Sequence, residues 1–89
     1  MLLIIDNEIK SYMVKTTINF DNIENLFIER NEDPDANNKY KIIAETGVSG
    51  YELYKGNDID EARYIYNKLL KCWSNNEKIV HFNTLLNNE

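Results

Sequence analysis

The chain has 89 residues, a hydrophobic share of 43%, an aromatic share of 11% and a formal net charge of −5. That length suits a single domain, 1–89, with one modest core, and the composition is too apolar for a disordered tail. The acidic balance opposes direct contact with nucleic-acid phosphates, the lone Cys72 excludes an intramolecular disulfide, and no segment approaches the roughly 20 apolar residues of a membrane span.

Leu2 to Ile5 is a short apolar run, expected as a strand that ends in the turn-prone Asp6-Asn7-Glu8. The opening residues lack the basic region of a signal peptide, so the expected location is the cytoplasm. Tyr12, Val14, Thr16, Ile18 and Phe20 then alternate with Met13, Lys15, Thr17 and Asn19, the period-two pattern of a strand. Asp21-Asn22 breaks it. Asn25 to Arg30 is the next strand, with Leu26 and Ile28 on one face and Phe27 and Glu29 on the other. Asn31 to Asn38, containing Asp33-Pro34-Asp35, is a turn. Lys39 to Thr46 is a strand, Gly47 to Gly50 a compact connection, and Tyr51 to Lys55 the hairpin partner.

The helix follows. Asp58 is a natural N-cap with Glu61 three positions on, a capping-box spacing. Ile59, Ala62, Ile65, Tyr66, Leu69, Leu70 and Trp73 recur at three- and four-residue steps and form one apolar stripe over 58–73. Asp60 and Glu61 in the first turn and Lys68 and Lys71 near the end suit the helix dipole. Ser74-Asn75-Asn76 stops it. Residues 78–86 are too apolar for a free tail and fit either a short strand or one or two helical turns.

The expected architecture is α+β: an antiparallel meander of four to five strands with one amphipathic helix on one face and a short apolar C-terminal segment. One helix covers one face. The other carries Phe27, Ile43 and Tyr51 or Tyr54, an apolar surface to be covered by the tail, by a second copy or by another protein.

The phrases Ile18-Asn19-Phe20-Asp21-Asn22-Ile23, Lys39-Tyr40-Lys41-Ile42-Ile43-Ala44 and Asp60-Glu61-Ala62, in this order of elements, resemble a broad set of small β-meander-plus-helix proteins of low-GC bacteria and their phages. The resemblance covers about residues 12 to 71. It implies a gene of a mobile element and lends no catalytic residues.

No catalytic signature stands out. Asp33, Asp35 and Asn37 are spaced like the start of a calcium loop, but Asn38 sits where glycine is needed and Ala44 where a bidentate Glu belongs. One His and one Cys cannot build a zinc site within a monomer. Cys72 and His81 would make a dyad only if the tail returned to the helix end, and no third residue orients them. Ser49 lacks the G-x-S-x-G setting, and Gly47 and Gly50 open no phosphate-cradling helix. Lys39-Tyr40-Lys41 is the only basic-aromatic cluster, too small for a nucleic-acid surface. No enzyme activity, metal or cofactor is expected.

One stretch carries the charge. Between Asp21 and Asp35, six acids face a single base, Arg30, and this segment's balance equals the whole net charge of −5. An acidic strip favours a cationic partner. The expected function is therefore a non-enzymatic protein-binding module with a basic protein as partner. Its candidate contacts are Glu24, Phe27, Glu29, Glu32, Asp33 and Asp35, with Phe27 as the apolar anchor. A specific version is a phage or mobile-element inhibitor of a host nucleic-acid-binding defence protein, of the anti-CRISPR type. The alternative is a structural or accessory homodimer in which the acids only solvate a turn.

Overall fold

Strand β1 (Leu2–Ile9) pairs antiparallel with β2 (Tyr12–Asn19), in register from Leu2 opposite Asn19 to Ile9 opposite Tyr12. These elements come from a computed structural model that describes residues 1–9 and 12–87, with side chains over 1–5 and 16–85. The architecture is α+β, and the described residues group into two compact units: Met1–Asp21 with Lys68–Glu89, and Asn22–Asn67.

In the first unit the sheet order is β2-β1-β6, where β6 (Ile79–His81) lies parallel to β1 with Leu2 opposite Ile79 and Leu3 opposite Val80. The Leu2 N–H donates to the Lys78 carbonyl at 2.9 Å and starts that ladder. A short helix α2 (Phe82–Asn87) follows, so the apolar tail forms both a strand and a helical turn. Among the described side chains, Leu3, Ile5, Ile18, Phe20, Leu69, Val80, Phe82 and Leu85 are this unit's buried apolar residues. Buried Ile18 and Phe20 alternate with exposed Thr17 and Asn19, as the period-two pattern requires; the side chains of Tyr12 and Val14, assigned to the same face, lie outside the described ones.

Asp6-Asn7-Glu8 is not a turn. All three pair within the hairpin, opposite Lys15, Val14 and Met13. The facing strand gives ladder partners to the backbone groups of alternate residues here, and this outweighs local turn preference.

The strands do not form one continuous meander. A 3₁₀ turn, Phe20–Asn22, ends β2, with the Phe20 N–H donating to the Met1 carbonyl at 2.8 Å and the Asp21 N–H to Asn19 Oδ1 at 3.0 Å. The chain then starts a second sheet. Its order is β3-β4-β5, all antiparallel: β3 (Asn25–Arg30), β4 (Tyr40–Glu45) and β5 (Gly50–Gly56). Ile42 and Ala44 are fully buried on its inner face. The register of β5 shifts between Ile42 and Ile43, whose partners are Tyr54 and Glu52, so Leu53 is the extra residue of a bulge and is itself buried.

Helix α1 (Ile59–Ser74) contributes residues 59–67 to the second unit and 68–74 to the first. Asp58 caps it as expected: its Oδ1 accepts the N–H groups of Asp60 at 2.9 Å and Glu61 at 3.4 Å. The Glu61 carboxylate accepts the Tyr54 hydroxyl at 2.8 Å. Tyr54 is thus a helix contact on the Ile42 side of the sheet and does not join Phe27 and Ile43. A Cβ on Gly56 would fall 2.9 Å from Tyr54 Cζ, so a larger residue there would push the end of this ring aside. Along the stripe, Ala62, Ile65 and Leu69 are buried, whereas Leu70 is 37% exposed and belongs to the outer surface. The helix ends in a Schellman motif. Asn76 has φ of 56°, its N–H donates to the Trp73 carbonyl at 3.2 Å, and the Glu77 N–H donates to that of Cys72 at 3.2 Å.

Candidate functional site

The hydrogen-bond phase of the second sheet sorts its faces. The Asn31 N–H donates to the Lys39 carbonyl at 2.7 Å, a bond between residues directly opposite each other. Counting back in register, Glu29–Lys41 and Phe27–Ile43 are bonded pairs, and Arg30–Tyr40, Ile28–Ile42 and Leu26–Ala44 are non-bonded ones. The second set shares the face of buried Ile42 and Ala44. The first set forms the opposite, outer face.

On that outer face Phe27 lies directly across from Ile43, both half-buried. Glu29 follows Phe27 along the same face, opposite Lys41, and Glu52 lies opposite Ile43 on the other side. The Lys41 ammonium is engaged by Glu52, with Nζ 3.1 Å from Oε1, so the nearest base is already paired within the sheet. Glu45 continues the face beyond Ile43. The result is an apolar pair, Phe27–Ile43, framed by Glu29 and Glu45, by the Lys41–Glu52 ion pair and, opposite Lys41, by Lys55. Glu29 and Glu32 also line a cavity of about 310 Å³ with Arg30, Asn31 and Lys41.

The six candidate contacts do not form one patch. Glu24 precedes β3, its N–H donating to the Glu45 carbonyl at 2.8 Å and its carboxylate lying beside Gly47. Glu32, Asp33 and Asp35 follow the far end of the strand. A six-residue strand separates the two groups by about 20 Å, beyond a physiological screening length of about 8 Å. Asp33 holds the turn together, since its N–H donates to Asn31 Oδ1 at 3.0 Å and its Oδ1 accepts the Asp35 N–H at 3.0 Å. Phe27, Glu29 and Glu32 are therefore the coherent part of the set, joined by Ile43 and Glu52. Glu52 reaches this face only through the bulge at Leu53, and local alternation does not disclose a bulge.

Cys72 and His81 line one cavity of about 300 Å³ in the first unit, with Glu77, Ile79, Val80, Thr84 and Leu85. Burial pushes the Cys72 thiol upward, the Glu77 charge adds to this, and Lys68 and Lys71 only partly oppose it. That environment favours the protonated thiol, the opposite of what nucleophilic catalysis requires. Among the described residues no group of three or more His, Cys, Asp or Glu side chains is arranged to hold a metal ion, and no helix is long and apolar enough to cross a membrane. No protein-family model, curated protein or solved structure matches this chain.

Proposed function

We propose that the outer face of the second sheet is a protein-binding surface for a partner that presents an apolar side chain within a basic surround. The observation that supports this is the Phe27–Ile43 pair, with Glu29 and Glu45 beside it and Lys41 and Glu52 joined to each other in an ion pair. The apolar pair supplies contact area, while the carboxylates steer a basic partner and disfavour an acidic one. Inhibition of a nucleic-acid-binding defence protein is the specific form of this reading. Such a target carries the basic surface required, and the resemblance to small phage-borne proteins points the same way.

The test is a charge reversal that spares the turn. Glu29, Glu32 and Glu52 are changed to Lys, while Asp33 is kept for its hydrogen bond to Asp35. Partners recovered by the wild-type protein at low salt are measured against this variant and against Phe27→Ala. The reading expects loss of binding in both variants and steep weakening with salt. Unchanged binding by the charge-reversed protein would sink it. A salt-insensitive dimer in solution, with no heterologous partner, would instead favour the homodimer.

A further inference from the structure

The chain contains eight lysines but only two arginines, Arg30 and Arg63. They are distant in sequence, one on β3 and one on α1, yet both line the same cavity of about 470 Å³ in the second unit. The other lining residues are Ile28, Tyr40 and Ile59. The fold explains the meeting. Arg30 and Tyr40 are directly opposite in a non-bonded pair, where side chains lie closest, and Ile28 is two residues back on the same face. Ile59 and Arg63 are one helical turn apart, so they present neighbouring side chains from the first turns of α1.

Among the described residues neither guanidinium makes an ion pair or hydrogen bond, although Glu29 and Glu32 flank Arg30 in the chain. In an acidic protein, two exposed arginines without carboxylate partners at the mouth of a partly apolar cavity are an unused resource. Guanidinium groups present planar forks of donors that match carboxylate and phosphate oxygens, a match that an ammonium cannot make. Ile28, Tyr40 and Ile59, all half-buried, offer apolar contact to whatever carries the oxyanion. The volume falls within the range of small-molecule sites.

We propose that this cavity binds a small organic oxyanion, a phosphate or carboxylate borne on an apolar or aromatic group, held by Arg30 and Arg63 together. The neighbouring carboxylates weaken long-range attraction of anions, so recognition depends on direct bidentate contact and apolar packing. The site opens on the inner face, where Arg30 lies opposite Tyr40, while Arg30 also borders the cavity of about 310 Å³ that Glu29 and Glu32 line.

Having only two arginines makes the test direct, because the side-chain Nε–Hε region of a ¹H–¹⁵N spectrum holds one signal for each. Phenyl phosphate, phenylacetate and inorganic phosphate serve as probes, titrated into the full chain. The expected result is that phenyl phosphate or phenylacetate shifts both signals along one shared saturation curve, and which does so more tightly identifies the oxyanion. Inorganic phosphate should bind roughly tenfold or more weakly, because it lacks the apolar part. Arg30→Lys and Arg63→Lys, which keep charge and fold, should each weaken the better aromatic probe roughly tenfold. Lys55→Gln, at an exposed position of β5, should leave it unchanged. Movement of neither or only one arginine signal overturns the proposal. So does equal binding of inorganic phosphate, or an equal loss in Lys55→Gln, either of which reveals only an ion atmosphere.

Discussion

The Tyr54 hydroxyl donates a 2.8 Å hydrogen bond to Glu61, tying the end of β5 to the first turn of α1. Burial first, then this bond and the charges of Glu61 and Asp58, push the Tyr54 phenol from its ordinary value near 10 up to about 12. Tyr54 should therefore titrate late when followed through its ring carbon by NMR, and Glu61→Gln should bring it back toward 10. The sign for stability follows. Below pH 10 the folded and unfolded chains both keep the proton, and this contribution is fully present. Between 10 and about 12 the unfolded chain loses the proton while the folded one holds it, so the contribution declines as pH rises through that window. Denaturant midpoints across this range should fall more steeply in wild type than in Tyr54→Phe.

Asp58 bonds two N–H groups at the start of α1. Asp58→Ala should cost about 1 kcal/mol in urea unfolding, and Asp58→Asn, which retains an accepting oxygen, should recover most of it. An equal loss in both variants would assign the effect to charge alone.

Leu69 and Leu70 are adjacent in sequence but opposite in setting, one fully buried and the other 37% exposed. Leu69→Ala should cost about 2–5 kcal/mol through the cavity it leaves. Leu70→Ala should stay within about 0.5 kcal/mol of wild type, as surface changes do.

Phe20 meets Trp73 edge-to-face, with ring centroids 5.2 Å apart and planes at 86°. Phe20 is fully buried at the 3₁₀ turn. A double-mutant cycle with Phe20→Leu and Trp73→Leu should return a coupling of about 0.5–1.5 kcal/mol. Near-UV circular dichroism of Trp73 should weaken in the Phe20→Leu protein even where far-UV signal is retained.

The raised Cys72 thiol predicts slow chemistry. At pH 8 its alkylation by iodoacetamide should lag behind that of a free cysteine, and Glu77→Gln should accelerate it by removing one cause of the rise. Faster reaction than free cysteine would show an activated thiolate and reopen a Cys72–His81 dyad.

Where a pattern is local, it can be read from the chain. The helix expected over 58–73 is Ile59–Ser74, and its Asp58 cap bonds as the spacing implies. The strands around Leu26 and Ile42 follow from their alternation, and the one around Leu53 from its place after the Gly47–Gly50 connection. Two features stay hidden because they depend on distant parts of the chain. Parallel pairing of Ile79 with Leu2 leaves no periodic mark that names its partner. Likewise Arg30 and Arg63 are unremarkable alone, and only the register of β3 and the rotation of α1 bring them to one cavity. Their rarity in a lysine-rich chain is the available hint. For Glu61 the spacing is correct but the partner differs, since a tyrosine across the unit replaces the backbone N–H of the cap.

The parallel pairing of β1 with β6 also governs the order of assembly. Leu2 and Ile79 are separated by almost the entire sequence, so the loop that joins them is the most costly to close. During synthesis the β1–β2 hairpin emerges long before β6 and must wait, one edge of β1 unpaired, until residues 79–81 leave the ribosome. In that interval the waiting edge is a template for strands of other nascent chains.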